Sequence, residues 1–137
     1  MAFTTAPREL VVTDFFNLVL VRNTGVTFGM FSGLPPWALV AAMVAIVIGV
    51  FVSMLRVEHR ISAVAHGLIL GGAMGNIADR IRHAAVTDFL DFHVGSWHWP
   101  AFNGADIVIV CGVALLLLEG MVLRSGASGP SRPAASE

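Results

Sequence analysis

The sequence predicts an α-helical integral membrane protein with three transmembrane helices and a small β-rich region lying on the membrane surface. Three observations predict it. Apolar residues fill 56% of the 137 positions and the mean hydropathy is +0.81, more than a soluble domain of this size needs for its core. The excess has to face lipid. Three apolar stretches are long enough to cross a bilayer as helices. Ahead of them lies a β-prone segment broken by turn residues.

That segment runs from Leu10 to Phe31. Val11, Val12, Phe15, Phe16, Leu18, Val19, Leu20 and Val21 favour strands, Asn23-Thr24-Gly25 supplies turn chemistry, and Val26 to Phe31 is a second short run. Together they predict a surface hairpin over residues 10–31. Met1 to Leu10 has no apolar core of a cleavable signal peptide, so insertion is expected to depend on the later spans.

The first span is Trp37 to Leu55, unbroken and apolar, which at about 1.5 Å per residue crosses roughly 28 Å of hydrocarbon. Pro35 and Pro36 precede it where a helix start tolerates proline, and Arg56, Glu58, His59 and Arg60 return the chain to water. The loop is short, so the next span runs antiparallel. That span is Ile61 to Ile81, with Gly67, Gly71 and Gly75 four apart along one stripe, a pattern that lets a neighbouring helix approach closely. Ala84 to Pro100 follows, rich in Phe and Trp, with Trp97 and Trp99 suited to the headgroup layer on the hairpin's side. The third span is Ala105 to Leu123, closed by Arg124. Residues 1–124 thus read as one domain, and residues 125–137, rich in Ser, Gly, Ala and Pro, as a disordered tail.

Charge removes several function classes. Eight arginines nearly balance nine acids, so no charged surface argues for nucleic acid as a partner. Lysine is absent, which excludes Ser/Lys and Schiff-base chemistry. Cys111, the one cysteine, lies in an apolar run and reads as packing. Orientation is not set by charge, since arginines divide four and four between the two sides.

The acids near span boundaries are the candidates for chemistry, because ionisable groups at membrane depth mark function. Asn76, Asp79 and Arg80 end the second span on the face that also holds Gly72; a local pairing of Asp79 and Arg80 would explain them equally. Asp88 follows in Val86-Thr87-Asp88-Phe89, with Asp91 beyond it, and Asp106 opens the third span. Asn103 as a helix cap, with Asp106 complementing the helix dipole, is the bland reading of that start. The second and third spans, if antiparallel neighbours, bring Asp88 and Asp106 to one membrane face. Two such carboxyl groups suit aspartyl hydrolysis, in which one stays protonated while the other takes a proton from the attacking water. That plan needs no metal or cofactor. Neither Gly-x-Ser-x-Gly nor His-Glu-x-x-His occurs, and His93, His98 and Asp91 read as interfacial polar contacts rather than metal ligands.

Four strings, in order, resemble the motifs of lipoprotein signal peptidase (signal peptidase II). Asn23-Thr24-Gly25-Val26-Thr27-Phe28-Gly29 is similar to the family's Asn-x-Gly-x-Ala-Phe segment, with Thr27 where alanine is usual. Gly71 to Arg80 resembles the Gly-Gly-Ala-x-Gly-Asn-x-x-Asp-Arg block, which includes Gly75, and Val86-Thr87-Asp88-Phe89 resembles the stretch bearing the first catalytic aspartate. Phe102-Asn103-Gly104-Ala105-Asp106 resembles the Phe-Asn-x-Ala-Asp stretch bearing the second.

The resemblance implies a bacterial inner-membrane enzyme that removes the signal peptide of a prolipoprotein just before its diacylglyceryl-modified cysteine. Its site would lie near the outer leaflet under a small extracytoplasmic β-sheet, and it would work as a monomer among membrane lipids. Asp88 and Asp106 would be the catalytic pair; Asn23, Gly75, Asn76, Asp79, Arg80 and Asn103 would shape the site and hold the substrate. It also implies a fourth span, ahead of these three, ending in Asp-x-x-Ser/Thr-Lys. Nothing before Leu10 matches either feature, which predicts a bundle open beside Gly67, Gly71 and Gly75, with lowered stability and turnover. Two other readings are a non-catalytic paralogue that only binds lipopeptide and a small proton-relay subunit. The relay would need polar groups at mid-span, where Val40 to Phe51 and Ile107 to Leu118 offer only Cys111.

Overall fold

A computed structural model describes residues 9–25 and 35–127. Strands β1 (Leu10–Thr13) and β2 (Phe16–Asn23) come first, then helices α1 (Pro36–Met54) and α2 (Arg60–His83). Strands β3 (Val86–Val94) and β4 (Trp97–His98) follow, and helix α3 (Gly104–Ala127) closes the described chain. All three helices are long and apolar enough to cross a membrane, and away from the cavity they carry exposed Ile48, Met74, Leu117 and Met121, as lipid-facing helices require.

Local sequence sets the helix ends. Pro35 is extended at φ −62° and ψ 144°, and a proline opens α1, where a helix start tolerates one. At the end of α2, Arg80, Arg82 and His83 complement the helix dipole. Ala84 turns the chain out in the left-handed region at φ 54°, and Arg22 Nη2 donates to the free carbonyl of His83 at 2.9 Å. Only Ala84 and Ala85 separate α2 from β3, so Asp88 is delivered close to the helix end. α3 runs through Ser125, Gly126 and Ala127, three residues beyond the expected start of the tail. The Ser125 hydroxyl donates back to the carbonyl of Met121, the usual way a helix absorbs a serine. The rest of that expected tail lies outside the described residues.

α2 packs against both α1 and α3. Its closest approach to α3 is at Gly72, where an added Cβ would stand 2.5 Å from the carbonyl oxygen of Ala105, and at Gly112, where one would stand 2.6 Å from that of Ala65. This corrects the packing role expected for Gly67 and Gly71. A Cβ on Gly67 or Gly71 would meet nothing within 4 Å among the described residues, and one on Gly75 would make an ordinary 3.6 Å contact with Ala105. The reason is rotation: neighbouring residues differ by about 100° around a helix, so the stripe facing α3 contains Gly72, not Gly71. At the other end of the bundle His66 bridges the Ser62 carbonyl and the Ser53 hydroxyl, and Ser62 Oγ donates to Glu119, which ties all three helices together.

The four strands form one antiparallel sheet in the order β1-β2-β3-β4. A hairpin turn falls at Asp14 and Phe15, between β1 and β2, ahead of the turn expected at Asn23-Thr24-Gly25. Those residues turn as well, since Asn23 Oδ1 accepts from the Gly25 N–H at 3.0 Å, and β2 ends there. The second run expected there, Val26 to Phe31, lies outside the described residues. The true second partner of β2 is β3, paired from Phe16↔Phe92 to Asn23↔Val86. Between Leu18↔Leu90 and Val21↔Asp88 the ladder carries one extra residue on β2, a bulge that sits beside Asp88.

Candidate active site

Asp88 is the third residue of β3 and almost fully buried, at 3% exposed. Both its oxygens are held by amides: Oδ1 accepts from Asn103 Nδ2 at 2.8 Å, and Oδ2 accepts from Asn23 Nδ2 at 2.9 Å. Asp106 lies in the first turn of α3, and its two oxygens are held likewise. Oδ1 accepts from Asn76 Nδ2 at 2.9 Å, and Oδ2 from the backbone N–H of Asn103 at 3.1 Å.

Asn103 joins the two acids. Its amide nitrogen donates to Asn76 Oδ1 as well as to Asp88, and its Oδ1 accepts from the N–H groups of Ala105 and Asp106 at 2.7 and 3.2 Å. With Asp106 bonded back to the Asn103 N–H, this is a reciprocal capping box. Capping and site are therefore the same set of bonds, and the two readings of Asn103 and Asp106 in the sequence do not compete. The segment carrying them is fixed on β3 itself, for Phe102 O accepts from the N–H groups of Phe89 and Leu90, and Phe102 N–H donates to Leu90 O. One strand thus sets both carboxyl groups, Asp88 directly and Asp106 through Phe102 and Asn103.

Arg80 reaches the same place from the last turn of α2. Its Nη2 donates to the carbonyl of Gly25 at 2.7 Å, which fixes the turn that carries Asn23. Its Nε is buried without a partner among the described residues, and its charge acts on Asp88, Asp106 and Asp79.

Asn23, Asn76, Arg80, Asp88, Asn103 and Asp106 line the polar end of a cavity of about 830 Å³. Below them it continues between α1, through Leu39, Met43 and Ile46, and α3, through Ile107, Val110 and Cys111. Trp99, Pro100 and Ala101 form another wall. Two of the residues singled out in the sequence stand apart. Asp79 is 41% exposed and faces His83 at 3.7 Å, a local partner one helical turn on, and Gly75 packs on Ala105. Asp91 leaves the opposite face of β3 from Asp88 and binds His98 and Asn17. Among the described residues no three His, Cys, Asp or Glu side chains group as a metal site.

The α1 wall carried no signal in the sequence, because a helix apolar all round shows no face. Arg22 had no local pattern either; its partner, the end of α2, lies 61 residues away.

The profile of a known family, described as signal peptidase (SPase) II, matches residues 1–122. The chain belongs to the signal peptidase II family. A lipoprotein signal peptidase of Methylorubrum extorquens (strain PA1) is 47% identical over 132 residues, an alignment covering 90% of this chain and 76% of the relative. One from Burkholderia cenocepacia (strain HI2424) is 45% identical over 120 residues, covering 85% and 72%. Two solved structures described as bacterial membrane enzymes share the fold. One, solved in meso at 2.3 Å, has a TM-score of 0.79 at 24% identity, covering 93% of this chain and 79% of the other. The second, solved at 1.9 Å, has a TM-score of 0.72 at 28% identity, covering 85% and 77%. As a member of that family the chain is an integral membrane protein of a protease family that processes lipoproteins, and the pair Asp88 and Asp106 is its candidate reaction centre.

Proposed function

We propose that this chain is an aspartyl endopeptidase that removes signal peptides from diacylglyceryl-modified prolipoproteins, cutting just before the lipidated cysteine. The observation that supports it is the joining of Asp88 and Asp106 through Asn103 at the head of a cavity that runs down between two apolar helices. Such a cavity suits a substrate whose signal segment and acyl chains need never leave hydrocarbon.

The chemistry follows from the paired acids. Aspartyl hydrolysis uses one protonated and one ionised carboxyl group. The ionised member takes a proton from a water as that water attacks the scissile carbonyl carbon. The protonated member donates to the carbonyl oxygen, which carries the developing charge. The tetrahedral adduct then collapses, its C–N bond breaks, and the proton taken from water passes to the departing nitrogen. Asn23, Asn76 and Asn103 contribute neutral donors that fix the carboxyl orientations without adding charge. Asn23, Asn76 and Arg80 also face the cavity with room to hold the substrate backbone. We place the enzyme in the bacterial inner membrane as a monomer, its site toward the extracytoplasmic face, with membrane lipid its only other partner.

The test is cleavage of a lipid-modified prolipoprotein by membranes containing this chain. Asp88→Asn and Asp106→Asn are each expected to reduce turnover by about a thousandfold or more, the scale on which reacting groups act. Full cleavage by either variant would remove the dyad.

A further inference from the structure

On the far face of the sheet lies a second buried polar cluster that the reaction does not use. Asp91, 6% exposed, accepts from Asn17 Nδ2 at 3.1 Å and from His98 Nδ1–H at 2.9 Å. Asn17, 2% exposed, donates its other proton to Glu9 at 2.9 Å, while its Oδ1 has no partner among the described residues. His93, paired with His98 across the strands, stacks on it with ring centres 4.9 Å apart. A buried carboxylate is costly unless its hydrogen bonds are made, so this one has to be explained by what it holds.

It holds β4. That strand has only two residues and two register pairs, a ladder too short to be stable alone. From β4 the chain runs through residues 99–103, which wall the catalytic cavity and end at Asn103. The segment is tied to β3 at two places on the cavity side, Trp99 N–H to Phe92 O and Phe102 to Leu90. The Asp91–His98 bond ties its root from the other side.

We propose that Asp91 is a positioning residue, which acts through His98 on the 99–103 segment and so sets the distance between Asn103 and Asp88. This rests on the dyad reading. Asp91 touches no reacting atom; it over-determines the place of a residue that does, and sub-ångström misplacement there is expensive in rate.

The experiment measures kcat and KM for a lipid-modified prolipoprotein, per folded enzyme, in Asp91→Ala, His98→Ala, the double variant and Asp91→Asn, with Asp88→Asn beside them. Asp91→Ala and His98→Ala should each lower kcat about tenfold with KM changed less than about twofold, because geometry is lost and binding is kept. The double variant should be no slower than the slower single one, as expected of two residues on one path. Asp91→Asn should recover much of the rate, since its carbonyl oxygen can accept from His98 and its amide can serve the orphan oxygen of Asn17. The His98 side chain is 48% exposed, so its removal threatens folding little. Wild-type kcat in His98→Ala would overturn the proposal whether or not Asp91→Ala folds, and so would additive losses. Retained activity in Asp88→Asn would instead overturn the dyad on which the proposal rests.

Discussion

Asn103 spends its side-chain amide on Asp88 and its backbone N–H on Asp106, at 2.8 and 3.1 Å. A single residue between a strand and a helix therefore sets the relation between two acids that are distant in sequence. The same residue caps α3, so its two duties can be separated by substitution. Asn103→Ala removes both and should cost about 1 kcal/mol of stability as a lost cap, with a fall in kcat of about a hundredfold. Asn103→Ser keeps an oxygen for the cap and loses the amide donors. It should unfold at nearly the wild-type temperature in detergent while keeping the catalytic defect of the alanine variant.

The two glycine stripes on α2 should behave in opposite ways. At Gly72 an added methyl group would collide with the Ala105 carbonyl, Ile109 and Val108. Gly72→Ala is expected to lose about 1–3 kcal/mol by overpacking, and to lose activity too, since Ala105 adjoins Asp106. At Gly67 and Gly71 the same change meets nothing within 4 Å and should leave stability unchanged or raise it by up to about 1 kcal/mol through helix propensity. Thermal unfolding in one detergent, with all three variants side by side, checks this.

Ala84 occupies the left-handed region at φ 54°, where a Cβ is strained and glycine is not. Ala84→Gly should therefore raise stability by about 1 kcal/mol. Its turnover should match the wild type, because the turn into β3 keeps its shape.

Cys111 is exposed and lines the cavity below the acids. As the chain has a single cysteine, a bulky maleimide that labels it should block cleavage. Cys111→Ser should be active and resistant to the reagent. Full activity of quantitatively labelled enzyme would show that substrate does not pass between α1 and α3.

The helices were legible because length and apolarity alone decide a span, and Trp37 to Leu55 has no competing interpretation. The meeting of Asp88 with Asp106 was legible for a topological reason: antiparallel neighbours joined by a short excursion return to one face. The sheet was harder. β2 looks like half of a local hairpin, but its main partner is β3, and the Asn17–Asp91 bond spans 74 residues. Turn residues at Asn23-Thr24-Gly25 were real, yet what they join depends on that remote pairing. The glycine stripe misled for a simpler reason. A regular spacing of four draws the eye to Gly67, Gly71 and Gly75, while close approach needs one glycine opposite one backbone, as at Gly72 and Gly112. Asp91 gave no sign in the sequence of which side it would face, since alternation separates two acids three apart only once the segment is known to be a strand.

Whether both carboxyl groups face one reacting centre is tested most directly by a crystal structure of the enzyme with a lipopeptide whose scissile amide is replaced by a hydroxymethylene group. That hydroxyl stands in for the oxygen that water adds to the scissile carbon in the tetrahedral adduct. It should lie within hydrogen-bonding distance of both Asp88 and Asp106. A hydroxyl bound to one of them with the other out of reach, or seated elsewhere in the cavity, would contradict the paired mechanism.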